Sequence, residues 1–303
     1  MTMEQYSDLA MVAATVGYIV AFLLHAAEWG FARGLERERP ADGSEDARRI
    51  NVDLLGRLGV AATVVAWILN LVAVVLRGIV AGRAPWGNMY EFVTAAIVVA
   101  VAVHLVGLWR WHTRWLAVGV TFVAALLSGL AVTVFHVAVA PLVPALQSVW
   151  FVMHIVAAVI ASAGFTIAGL ACVLHLVRSR AEDRAIARDA ELTGYVARIP
   201  QPRKLETFAH RVTSFAFLVW TFAIVAGSIW AQHAWGRFWG WDPKETWSFI
   251  TWCVYAAYLH ASLTAGWRGR PAAWISVVGM LTFWFNFVGV NLLFNGLHSY
   301  AGI

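Results

Sequence analysis

The chain is 303 residues long, 61% hydrophobic and only 13% charged, with a formal net charge of +5 and a mean hydropathy of +0.70. A soluble domain of this length carries roughly 25% charged residues, so the composition excludes a soluble enzyme and describes a membrane protein. The basic excess lies in the loops between apolar runs, which removes nucleic acid as the expected partner.

A bilayer core needs about 20 consecutive apolar residues per helix. Eight segments meet that need: 9–30, 58–79, 91–108, 116–134, 149–177, 212–230, 247–265 and 273–294. The expected fold is therefore an all-α, polytopic bundle of about eight transmembrane helices, a single membrane domain over 1–303. The first run follows an acidic, non-basic leader and is long enough to span, so it reads as a retained helix. Cys172 and Cys253 both lie in apolar segments, with no C-x-x-C pair, and read as small core residues.

The basic residues set the orientation. Arg33, Arg37, Arg39, Arg48, Arg49 and Arg57 follow the first span, and Arg110 and Arg114 follow the third. Eight more lie at 178–211 and two, Arg268 and Arg270, after the seventh, which puts 18 of 22 on one side. The positive-inside rule makes that side cytoplasmic. Both termini are then extracytoplasmic, as is the loop at 232–247. The stretch 178–211 is expected to be a cytoplasmic connector with a surface-lying helix broken near Pro200 and Pro202.

The loop at 232–247 carries Trp235, Trp239, Trp241 and Trp247, with Gly236, Gly240 and the cations Arg237 and Lys244. Clustered indoles at a membrane surface make a platform for a large flat ligand, and glycines allow close backbone approach. The segment Asp-Pro-Lys-Glu at 242–245 also fits a helix start: a capping aspartate, proline at the first position and glutamate three residues after the cap. Asp242 therefore reads either as a ligand contact or as a helix cap.

Ten histidines occur, and their depth follows from the rise of about 1.5 Å per helical residue. His154 lies at the outer end of the fifth span and His298 just past the outer end of the eighth, on either side of the tryptophan loop in sequence. His260 falls about 20 Å below Trp247, in the inner half. One haem does not reach across that depth, so three ligating histidines mean two sites. His25 and His104 fall at a depth similar to His260, and either is a candidate opposite ligand to it, as is a residue from a partner subunit. His136 and His233 lie at the outer edge and read as packing or interfacial residues, with ligand contact the alternative, and His112, His175 and His210 read as inner-interface ones.

These residues together resemble a known family. The run Trp235-Gly-Arg-Phe-Trp239-Gly-Trp241-Asp242-Pro-Lys-Glu is similar to the tryptophan-rich WWD signature of membrane haem-handling proteins. Trp150 and His154 ahead of it, His260 with Arg268 and Arg270 behind it, and Asn295, His298 and Tyr300 after those narrow the likeness to the CcsA/ResC family. That family holds the integral membrane subunit of the system II cytochrome c synthase. Upstream, Arg77, Gly82, Pro85, Asn88, Tyr90 and Glu91 resemble another of its elements, so the likeness runs in order from Arg77 to Tyr300.

The resemblance implies cytochrome c biogenesis at the plasma membrane. Haem b is implied to cross the membrane through a site held by His260, with His25 among the candidate partners. It then reaches an outer site with His154 and His298 as axial ligands. Trp235, Trp239, Trp241 and Asp242 are implied to cradle the porphyrin. Arg237 and Lys244, the only cations on the loop, are expected from their charge to pair with its propionates, with Arg77 another candidate. Apocytochrome c is the implied substrate for thioether formation, a CcsB/ResB-like membrane protein the partner, and a thiol reductant pathway lies upstream. No acid–base group is assigned. Competing readings are a haem handler serving a chaperone, a b-type redox cytochrome, and a transporter for an unrelated small molecule.

Overall fold

The computed structural model describes residues 1–35 and 45–298. Arg37, Arg39 and Tyr300, used above, lie outside the described residues. Every regular element among the described residues is helical. In chain order these are α1 (Met3–Phe31), α2 (Asp46–Ala81), α3 (Met89–Trp111), α4 (Ala117–Thr133), α5 (Val149–Ala187) and α6 (Gly194–Arg198). They continue with α7 (Pro202–Trp235), α8 (Pro243–Leu263) and α9 (Arg270–Trp284), which runs through a π-helical turn, Phe285–Gly289, into α10 (Val290–Leu293).

Seven of the helical segments are long and apolar enough to cross a membrane, and the chain is a multi-pass membrane protein. Eight spans were expected. The segment expected at 247–265 does form a helix, the 21-residue α8, but it is not among the seven. Lys244, Glu245, His260 and its serines, threonines and tyrosines dilute its apolar character.

Helix ends depart from the apolar runs in one consistent way. The fifth run stops near residue 177, whereas α5 continues to Ala187; the sixth begins near 212, whereas α7 begins at Pro202. Hydropathy marks the part of a helix that faces lipid, not the point where its hydrogen bonds end. Arg178 is buried in the extension, bonding Glu182 and the carbonyls of Val196 and Ile199. The expected surface-lying helix at 178–211 is thus an extension of α5 followed by the five-residue α6, with Pro202 opening α7.

The helices form two groups. In the first, α1 lies along α2 and against α4, around Met11, Tyr18, Val93 and Ile97. In the second, α5 lies along α7 and against α9, with α8 on α7 and α9, around Phe165, Trp220, Tyr255 and Phe283. Small residues set the closest approaches, as in membrane interfaces generally. A Cβ on Gly17 would sit 2.9 Å from that of Ala66, and one on Gly164 would sit 2.7 Å from that of Ala216. Trp284 and Phe287 pack against both groups and join them beside the cavity described next.

Candidate functional site

One cavity dominates the tryptophan-loop end of the bundle. It encloses about 1170 Å³ of non-protein space, part of it open to solvent. Its walls come from the loop before α3, the first turns of α5, the second half of α7, the start of α8, and the π-helical turn. Trp220 and Phe283 line it and also belong to the buried core. Behind them Phe165 stacks on Tyr255 with ring centres 3.7 Å apart and planes 8° from parallel. Such a pair adds about 0.5–1.5 kcal/mol beyond its burial and gives the wall a rigid backing.

His154 and His298 both line this cavity. Trp230 stands near both, its ring centre 6.1 Å from that of His154 and 5.6 Å from that of His298. The two imidazole centres are therefore no more than about 12 Å apart. Residues 144 positions apart in the chain meet because α5 and α7 pack closely and the segment after α10 folds back over the start of α8.

Each imidazole has one nitrogen committed. His154 Nδ1 donates to the Ala223 carbonyl at 2.7 Å, and His298 Nδ1 donates to Asp242 Oδ1 at 2.9 Å. A carbonyl and a carboxylate only accept, so the proton sits on Nδ1 in both rings. In the neutral form of either ring, Nε2 then carries the lone pair. A ligating histidine held through its other nitrogen is the usual arrangement around a metal.

Asp242 has two jobs at once. Its side chain accepts from the Lys244 amide at 3.1 Å and caps α8, while Glu245 reaches back to the Asp242 amide at 3.1 Å and the Gly240 amide at 2.8 Å. The same carboxylate accepts from the Leu297 amide at 2.7 Å and from His298. Burial acts to raise its pKa, but the His298 hydrogen bond and charge, with the two amides, outweigh that. The net effect holds the carboxyl below its ordinary value of 3.8. Asp242 is not among the residues lining the cavity.

The tryptophans separate into distinct places. Trp239 lines the cavity. Trp235 stands behind it, its ring centre 4.8 Å from both His298 and Trp230. Trp241 is 64% exposed and held at φ 58°, edge-on to Trp239. A left-handed backbone costs a non-glycine residue roughly 1–2 kcal/mol, and here it turns the loop into α8. Of the loop's cations, Lys244 lines the cavity, whereas Arg237 lies 3.6 Å from Glu245 and packs its guanidinium against Gly240.

The inner histidines do not join this set. His260 is exposed on α8, in the second helix group. His25 is 1% exposed, in the first group, with its ring against Gly59 and Nδ1 3.4 Å from Glu28. His104 is buried as well.

A second polar cluster supports the cavity rim. Buried Glu91 accepts from Arg77 Nε at 3.3 Å, Arg83 Nη1 at 2.7 Å and the Gly87 amide at 2.8 Å. Asn88 caps α3 by accepting from the Glu91 amide at 2.9 Å. The loop so held contributes Trp86, Gly87 and Asn88 to the cavity wall.

Comparison with known proteins places this architecture. Residues 86–298 match the family described as cytochrome c assembly protein. The chain belongs to that family. Its curated relatives include the "Cytochrome c biogenesis protein CcsA" of Trieres chinensis, 32% identical over 272 residues, covering 82% of this chain and 87% of that protein. The protein of the same name from Synechococcus sp. (strain JA-3-3Ab) is 32% identical over 303 residues, with the same coverage. Among solved structures, the "Cytochrome c Heme Lyase CcmF" aligns with 99% of this chain at a TM-score of 0.57 and 15% identity. The chain spans about half of that longer protein, 53%, and the likeness is one of fold.

The chain therefore has the CcsA family role in cytochrome c biogenesis. The family match begins at Trp86 and ends at His298, which are also the first and last residues lining the cavity. Helices α1 and α2 precede it. Sequence reasoning missed several residues of this cavity: Trp230, Phe151, Asn286 and Asn291 all line it. The two asparagines carried a readable signal, since amides within an apolar run are costly in a membrane. Trp230 and Phe151 carried none, because an aromatic residue at the end of a span is ordinarily an interface anchor.

Proposed function

We propose that this chain is the haem-presenting membrane subunit of a system II cytochrome c synthase, with haem b bound between His154 and His298. One observation carries the reading: two imidazoles from distant elements face a single cavity rich in aromatic side chains, each anchored at Nδ1 by an acceptor and keeping Nε2 for iron. Trp239 supplies a face for the macrocycle. Trp235 and Asp242 act from behind, setting the ring of His298.

The chemistry needs little from the protein beyond placement. Each thiol of a reduced C-x-x-C-H peptide adds across one vinyl group: the S–H and the C=C π bond break, and a C–S and a C–H bond form. Holding the porphyrin fixed at the membrane surface turns this into a local encounter. Reduced thiols require the reductant pathway upstream, and the substrate is apocytochrome c.

The tryptophan-loop end is extracytoplasmic by the distribution of basic residues, and α8, counted as an eighth crossing, returns the C-terminal end to the side of the N-terminus. The membrane is the plasma membrane. The whole of 1–303 acts as one membrane domain, with 232–247 as its haem loop and 178–211 on the cytoplasmic side. An inner haem site uses His260. The opposite ligand is His25, His104 or a residue of a CcsB/ResB-like partner, and the exposure of His260 on α8 favours the partner.

The test is an absorption spectrum of the purified protein followed by thioether formation on a reporter apocytochrome with the partner present. His154→Gly and His298→Gly each deplete the outer haem and abolish thioether formation, and added imidazole restores binding. Haem retained at full occupancy in the double variant with His260→Gly also present would refute the assignment.

A further inference from the structure

Lys244 is the one lysine or arginine among the residues lining the cavity. Its ammonium meets the Phe287 carbonyl at 3.4 Å and stands 5.9 Å from the centre of the Phe287 ring. No carboxylate lies within ion-pair distance of it among the described residues. The other loop cation is differently placed: Arg237 faces Glu245, and a Cβ on Gly240 would fall 1.2 Å from its Nη1. One cation pairs within the loop, and the other stands on the cavity wall beside Phe287, with Asp242 and Glu245 nearby in sequence but not paired with it among the described residues. An ammonium withdrawn from water and given only a long carbonyl contact is costly unless an anion joins it.

The π-helical turn places that ammonium. A turn wound i→i+5 inserts one extra residue, and such turns concentrate at functional sites. Here it brings Asn286 and Phe287 to the cavity wall. The Phe287 carbonyl accepts from Asn291 Nδ2 at 2.7 Å as well as from Lys244. Asn286 Nδ2 donates to Ser248 Oγ at 3.0 Å, and that hydroxyl donates to the Lys244 carbonyl at 2.7 Å. These bonds tie the start of α8 to the turn and hold the lysine against the cavity.

We propose that Lys244, positioned by the turn Phe285–Gly289, is a carboxylate receptor that sets which edge of the cavity's ligand points toward α8. The inference rests on the haem reading above, and the carboxylate is then a propionate. The edge bearing the carboxylates is drawn to Lys244, and the opposite, vinyl-bearing part of the ring is left for the apocytochrome. Arg237 takes no part in this recognition.

The experiment compares haem with haem dimethyl ester, which has the same iron and vinyl groups but no carboxylates, by spectral titration of the purified full-length protein. A charge-assisted hydrogen bond predicts that the wild type prefers the free acid by about tenfold or more. Lys244→Met removes the preference while leaving the bis-imidazole spectrum in place; Lys244→Arg and Arg237→Met retain it. Lys244→Gln serves as a second neutral variant should the methionine fail to fold. A preference that survives both neutral variants, or that is absent in the wild type, overturns the role of Lys244. Wild-type protein that binds neither porphyrin through His154 and His298 overturns the haem reading itself.

Discussion

Asp242 Oδ1 lies 2.9 Å from His298 Nδ1, so the residue that starts α8 also orients one of the two cavity imidazoles. The coupling joins a backbone function to a site function. A helix cap has a fixed place relative to its helix, and His298 inherits that precision although it sits in the irregular segment beyond α10.

Asp242→Asn and Asp242→Ala separate the two functions. Asparagine caps helices about as well as aspartate, so the first variant keeps the fold and loses only the carboxylate charge. Its haem affinity falls roughly 10–100-fold, the usual effect of losing a partner behind a ligand. Alanine also removes the cap and costs about 1 kcal/mol more stability. Spectral titration with thermal melting in detergent checks both.

The depressed Asp242 carboxyl gives a signed pH dependence. A group whose folded pKa lies below its unfolded value contributes stability that is fully present above the unfolded value and lost as pH falls through the folded one. The contribution is therefore constant from neutrality down to about 3.8 and declines below that. The difference in melting temperature between wild type and Asp242→Asn should stay level above pH 4 and shrink only in stronger acid. A difference that grows on acidification would contradict the assignment.

Gly227 admits His154 to its place. A Cβ there would sit 2.7 Å from His154 Nδ1 and 2.9 Å from Cε1, so Gly227→Ala forces the ring away from the Ala223 carbonyl. Overpacking of this kind costs about 1–3 kcal/mol, and the outer haem is lost with the ring's orientation. Gly129→Ala on α4, where nothing lies within 4 Å, is the control. It leaves haem content unchanged and gains about 0.5–1 kcal/mol from helix propensity.

Glu91→Gln uncovers two arginines. Arg77 is 1% exposed and Glu91 fully buried, and breaking a buried pair by removing one partner costs about 3–5 kcal/mol. The loop carrying Trp86 to Asn88 then loosens at the cavity rim, lowering both melting temperature and haem retention. The double variant Glu91→Gln with Arg77→Met recovers part of the stability. A single variant as stable as the wild type would show the cluster to be dispensable.

Much of this protein was legible without coordinates. Apolar runs and the base-rate deficit of charge identified a helical membrane protein, since only closed hydrogen-bonding patterns cross lipid. The capping box at 242–245 was written in residue types, because local hydrogen bonds depend on short spacings. The ordered residues from Arg77 to Tyr300 carried the family, and the family match covers 86–298 of that range.

Long-range pairing was not legible. Nothing local tells that Asp242 turns toward His298, that Trp241 faces outward while Trp239 lines the cavity, or that Arg237 is taken by Glu245 and Lys244 is not. Hydropathy reports transfer from water to lipid, residue by residue, and so finds the helices. Which of their side chains meet depends on how α5, α7, α8 and the π-helical turn pack, and that is a property of the tertiary structure alone.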